Sequence, residues 1–136
     1  MVNLVTRSPA RADDCLECAS PFRWIRKASL FMRAGGDSVA ISLPDAAGGD
    51  LLDVAYLWPT APGWREFCLT IRPAARPHMR ALVRLAQLRL DAVAQTGLRV
   101  KAHVRPGHAP GERMARMVGF VPDRSAPGWW IHVWRL

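Results

Sequence analysis

No apolar run among the 136 residues reaches the roughly 18–20 that cross a bilayer. The opening stretch, MVNLVTRSPARADD, has no apolar signal-peptide core. The expectation is a cytoplasmic protein with no membrane partner. Cysteine is scarce and odd in number, at three, which argues against a disulfide framework. Cys15 and Cys18 lie three apart in CLEC, but no second ligand pair follows at metal spacing, so no metal site is expected. Tyrosine occurs once, at Tyr56, and lysine only as Lys27 and Lys101. Acids are the minority charge, 11 against 19 Lys and Arg, leaving a formal +8 carried mostly by arginine. That excess suits an anionic partner, a nucleic acid or a polyphosphate cofactor, although a plain basic surface explains it equally. The chain has no internal repeat and no dividing linker, so residues 1–136 are read as a single domain.

Hydrophobic periodicity predicts the elements. Val2–Arg7 reads as a short strand. A first helix follows, with Ser8 as N-cap and Pro9 at its first position. A second opens at Pro21 and stops at Gly35-Gly36. DSVAISLP and LLDVAYLW form a hairpin, PTAPGW is a turn, and REFCLTI is the next strand. From Pro77 to Thr96, Met79, Leu82, Val83, Ala86, Leu90, Val93 and Ala94 recur at helical spacing. LRVKAHV is a strand, RPGHAPG a loop, ERMARMV a short helix closed by Gly119, and WWIHVWRL a final strand. The order β-α-α-β-β-β-α-β-α-β needs crossovers in its second half and predicts an α/β mixed sheet flanked by helices. The six tryptophans, Trp24, Trp58, Trp64, Trp129, Trp130 and Trp134, are expected in the core and at the sheet edge. Of these, Trp129 or Trp130 is left to meet a protein partner or a second copy.

Between the strand REFCLTI and the long helix lies IRPAARPHMRAL, Ile71 to Leu82. A strand that breaks into a helix gathers backbone N–H groups that can hold a phosphate. Such loops are usually glycine-rich, and this one has no glycine, two prolines and three arginines. Arg76, Arg80 and Arg84 fall four apart, along one helical stripe. That stripe is also the basis for a nucleic-acid reading, but its arginines are not interleaved with aromatics.

With these elements the chain resembles the GNAT superfamily of N-acetyltransferases. The resemblance is sharpest from Arg65 to Val121. There the superfamily has a strand, a pyrophosphate loop of form R/Q-x-x-G-x-G/A, a long helix, a strand, and a loop with a short helix ending in Gly-Phe. HAPGERMARMVGF is similar to the last part, with His108 where Asn is frequent and Gly119-Phe120 eleven and twelve residues on. In the loop register, Arg76 takes the Arg/Gln position, Pro77 another frequent glycine, Met79 the first motif glycine and Ala81 the Gly/Ala position. The short, Arg-rich form with no tyrosine in the last helix is most similar to GNAT-like proteins encoded by phages. That points to the cytoplasm of a bacterium or of a phage-infected host, with virion association left open.

The resemblance implies acetyl transfer from acetyl-CoA, or binding of coenzyme A, with a small-molecule or protein amine as acceptor. It implies a cofactor site of Leu69, Thr70, Ile71, Arg76, Pro77, His78, Met79, Arg80, Ala81 and His108. Acetyl transfer to an amine also needs a base. Glu66 is the first candidate, at the start of the central strand and on one face with Cys68 and Thr70. Asp53 is the second. His103 and His108 also carry base chemistry, but each reads as a surface or loop histidine. The superfamily's thiolate acid is often a tyrosine in the last helix, and here that position is Ala115. The alternative to an N-acyltransferase is a non-catalytic GNAT-fold protein, a phage-associated structural or host-interaction module.

Overall fold

The computed structural model describes residues 3–19 and 21–133. Val2 of the first predicted strand and Trp134 of the last lie outside them. Seven strands form a mixed sheet in the order β1-β2-β3-β4-β5-β7-β6, with four α-helices among the described residues. None of these helices is long and apolar enough to cross a membrane. The residues gather into two compact units, one holding residues up to 58 with 68–78, the other 59–67 with the chain from 79 on.

The first unit contains β1 (Val5–Arg7), α1 (Ala12–Cys18), α2 (Arg23–Gly35) and β2 (Asp37–Ser42). It also holds most of β3 (Leu51–Ala61) and the end of β4 (Trp64–Ile71). The expected β2–β3 hairpin is present and antiparallel, with a register shift opposite Ile41 and Ser42. α1 starts later than its sequence suggests. The Ser8 hydroxyl donates to the Ser38 carbonyl rather than capping a helix, and the Asp14 carboxylate accepts from the Arg11 N–H instead. The core joins Ala10, Cys15 and Cys18 to Ala40, Leu51, Val54 and Tyr56, with Met32 and Cys68 against it. Each large side chain so buried contributes about 1.5–3 kcal/mol. The predicted turn at Pro59 is instead strand as far as Ala61, and the chain reverses at Pro62-Gly63, where Gly63 has φ +80°.

The second unit holds α3 (Met79–Gln95), β5 (Arg99–His103), α4 (Ala109–Val118), β6 (Phe120–Pro122) and β7 (Trp129–His132). β4 and β5 run parallel, a pairing that needs a crossover connection, which α3 supplies. Leu82, Val83 and Leu90 of α3 are buried, while Ala86 and Val93 are only half-buried. Pro77 does not open this helix. It lies inside a 3₁₀ turn, Pro73–His78, and the α-helix begins at Met79. The predicted loop before α4 is partly helical, with His108 as N-cap and Pro110 in the first turn. Gly119 ends α4 at φ +113°, a left-handed cap that favours glycine. The element missed by periodicity is β6, three residues held by pairing with β7.

Candidate functional site

The path from β4 into α3 is built by anchoring rather than by glycine. Past Ile71, the Arg72 N–H donates to the Leu52 carbonyl at 2.8 Å. Its guanidinium donates to the Leu51 carbonyl at 3.0 Å and pairs with Glu17 at 3.1 Å. The N–H of the buried Ala75 then returns to the Arg72 carbonyl at 2.9 Å. Two prolines in the tight turn hold the backbone where a glycine loop is otherwise expected. Arg76, Pro77 and Arg80 are exposed; His78, Met79 and Ala81 are half-buried. Met79, Arg80 and Ala81 form the first turn of α3, the positive end of its dipole. Among the described residues Arg76, Arg80 and Arg84 make no ion pair, so their charge is available.

β4 presents a second feature. Its ladder with β5 pairs Trp64–Glu66 with Arg99–Lys101, and the strand itself continues to Ile71. Glu66 occupies the last of these pairs, half-buried, with Lys101 as register partner. Leu69 and Thr70 are half-buried and Ile71 is exposed. The Thr70 hydroxyl donates to the Val54 carbonyl at 3.2 Å. On α4, His108 is an exposed N-cap whose carbonyl accepts from the Glu112 N–H. Its Nδ1 stands where a Cβ on Gly111 would come within 2.6 Å, so Gly111 makes room for the ring. Ala115 is buried in the same helix. His103 is exposed and meets the edge of Trp129 at 5.2 Å.

Polar groups also enter the core of the first unit. Asp53 on β3 is 2% exposed, and among the described residues its Oδ1 has no hydrogen-bond partner. Burial pushes its carboxyl up to about 7. Burial first, and then the Asp53 charge, push the Cys18 thiol up to about 12, with Arg72 pulling the other way. The Tyr56 phenol is raised by burial and by Cys15. These cysteines are free, and Cys15 and Cys18 are buried. The roles of Arg72 and Asp53 are not visible in periodicity. The one available signal is an acid inside the apolar run LLDVAYL.

No protein-family model and no curated protein matches the chain. Solved structures do. An IAA acetyltransferase from Bacillus cereus is 14% identical, with TM-score 0.65 over 88% of this chain and 77% of its own. A Bacillus subtilis acetyltransferase in complex with CoA is 13% identical, with TM-score 0.64 over 95% of each chain. A GNAT family acetyltransferase from Elizabethkingia anophelis with acetyl-CoA bound is 12% identical, with TM-score 0.64 over 89% of this chain and 78% of that one. At these identities the likeness is one of fold. The chain has the mixed α/β fold of GNAT acetyltransferases.

Proposed function

We propose that residues 1–136 act as one GNAT-like domain, an N-acyltransferase that moves an acetyl group from acetyl-CoA to an amine. The observation that carries this reading is the turn from β4 into α3. There Arg80 stands in the first turn of a 17-residue helix and Arg76 three residues before it, both exposed and, among the described residues, without ion pairs. A pyrophosphate fits this set by charge, through arginine and helix dipole, where the superfamily's loop relies on glycine. Acetyl-CoA, when bound, supplies the acyl group as a thioester. Arg76, Arg80 and the backbone N–H groups of His78–Ala81 would hold its phosphates, with Pro77, which has no N–H, setting the turn and His108 at the start of α4 as a further contact. Backbone within Leu69–Ile71 would donate to the thioester oxygen, where negative charge develops. Glu66 takes a proton from the acceptor ammonium, freeing the nitrogen lone pair to attack the carbonyl carbon. The nitrogen's second proton would pass to solvent as the amide forms, and the departing thiolate would be protonated from solvent, since Ala115 has no acid to give.

A small-molecule amine is the favoured acceptor. The short arginine-rich form fits a phage-encoded protein working in the bacterial cytoplasm. A second reading, a non-catalytic GNAT-fold module, rests on Ala115 and on the bulk of Met79 at a glycine position. Calorimetric titration with acetyl-CoA, followed by thiol release with a panel of amines, separates them. Arg76→Ala should weaken binding by about 1–3 kcal/mol, the range of one charge-assisted hydrogen bond. Glu66→Gln should leave affinity near wild type and lower turnover by roughly 10²-fold or more. Binding without turnover for any acceptor selects the non-catalytic module. No binding at millimolar acetyl-CoA removes the cofactor site.

A further inference from the structure

α2 is the one α-helix of the first unit whose outward side is aromatic. Its sequence, RWIRKASLFMRAG, turns Ser29 inward as its only buried residue, with Ile25, Met32 and Arg33 half-buried beside it. Trp24, Ala28, Phe31 and Gly35 follow one another at spacings of four, three and four, all exposed. That is the repeat of a helix-packing seam, alternating large and small. Trp24 is 70% and Phe31 67% exposed. They stand two turns apart, about 10 Å along the axis at 1.5 Å per residue. The Trp58 ring lies where a side chain on Gly35 would be and meets Phe31 at 5.0 Å, so the ridge continues across the helix end. Two aromatic side chains left this open in a small protein mark an interaction surface.

Charge selects the occupant. α2 carries Arg23, Arg26, Lys27 and Arg33 and no acid. Arg33 is tied down, its Nε donating to the Ala10 carbonyl at 2.6 Å. Arg23, Arg26 and Lys27 are exposed and, among the described residues, make no ion pair. Arg23 and Lys27 flank the ridge on the side away from Ile25 and Met32, while Arg26 lies on the far side of the helix. A second copy of this chain would set these cations against their own kind. A bilayer wants a broad apolar face, and Ile25 and Met32 beside the ridge are already half-buried. A single strand stacks bases on open rings, and Phe31 has Trp58 against it. We propose that this ridge receives an acidic amphipathic helix of a partner protein, with apolar anchors between Trp24 and Phe31 and carboxylates against Arg23 and Lys27. The proposal is independent of the acyl-transfer reading.

The test is fluorescence anisotropy with a labelled synthetic helical peptide, leucine at its seam positions and glutamate beside them. A counterpart with lysine for glutamate serves as comparison. The acidic peptide should bind at least about tenfold more tightly than the lysine one, a charge-complementarity effect. Trp24→Ala and Phe31→Ala should each weaken it about tenfold, the scale of an interface anchor. Both side chains are exposed, so folding is not at stake, and circular dichroism verifies this. Leu88→Ala, an exposed leucine on α3, should change nothing. Lys27→Glu should shift preference toward the lysine peptide. No binding of the acidic peptide at millimolar concentration would overturn the proposal. So would tighter Trp24-dependent binding of oligothymidylate or of phosphatidylserine vesicles, or Trp24-dependent dimerisation in sedimentation.

Discussion

Asp53 shows how a single residue can carry a pH dependence for the whole fold. Its carboxyl, ordinarily near 3.8, is raised to about 7 by burial, with Oδ1 left unpartnered among the described residues. Between those two values the folded chain keeps the proton and the unfolded chain releases it. Stability therefore falls as pH rises from about 4 to about 7 and then levels off. At 1.36 kcal/mol per pH unit the loss is on the order of a few kcal/mol. Urea unfolding at pH 5 and pH 8 should show it in the wild type. Asp53→Asn, which cannot ionise, should flatten the difference between the two curves. The acid was legible in the sequence as a second candidate base, but its burial was not. Alternation around LLDVAYL permits an outward-facing side chain, and the covering of both faces of β3 is a property of the packed unit.

Among the elements, the junctions are tighter than the helices and strands they join. α2 passes into β2 through Gly36, where a Cβ would come within 2.5 Å of the Leu57 carbonyl oxygen and 3.2 Å of the Trp58 Cα. Both are backbone atoms and cannot turn aside as a side-chain tip can. Gly36→Ala should therefore cost about 1–3 kcal/mol, the range for overpacking, read as a lower urea midpoint with unchanged slope. The sequence marks this position as a helix stop, which is only half its role. The β4–α3 junction shows the same division. Strand and helix were evident from period, but the helix begins at Met79 rather than Pro77, because Pro73 and Pro77 favour a 3₁₀ turn stabilised by Arg72 and Ala75. β6 was hidden because a three-residue strand has too few positions for a period and exists only by pairing with β7.

At the scale of the whole molecule, net charge governs association more than fold. A chain with formal charge +8 and pI near 10.9 attracts any polyphosphate before contact. On the proposed function, acetyl-CoA affinity should fall markedly between 0.1 M and 1 M salt, as the Debye length shrinks from about 10 Å to about 3 Å. Arg76→Ala should show a shallower salt dependence than the wild type in the same titrations. Equal slopes would place the cofactor's phosphates away from Arg76. The tryptophans divide at this scale too. Trp130 is buried with the Arg116 guanidinium over its ring, and Trp129 packs beside His103 and Lys101. Trp24, expected in the core or at the sheet edge, is exposed instead.

Spacing and composition by themselves determined the element order apart from β6, the crossover through α3, the buried face of Leu82, Val83 and Leu90, and the arginines of the β4–α3 turn. These follow from local period and from the chirality of crossovers, which a chain carries without its partners. Tertiary structure alone decided which acid is buried, how Arg72 holds the end of β4, where β6 forms, and that α2 turns its aromatics outward. Each depends on atoms distant in sequence arriving at one place. Burial, pairing and desolvation are set by that arrival and leave no period in the chain.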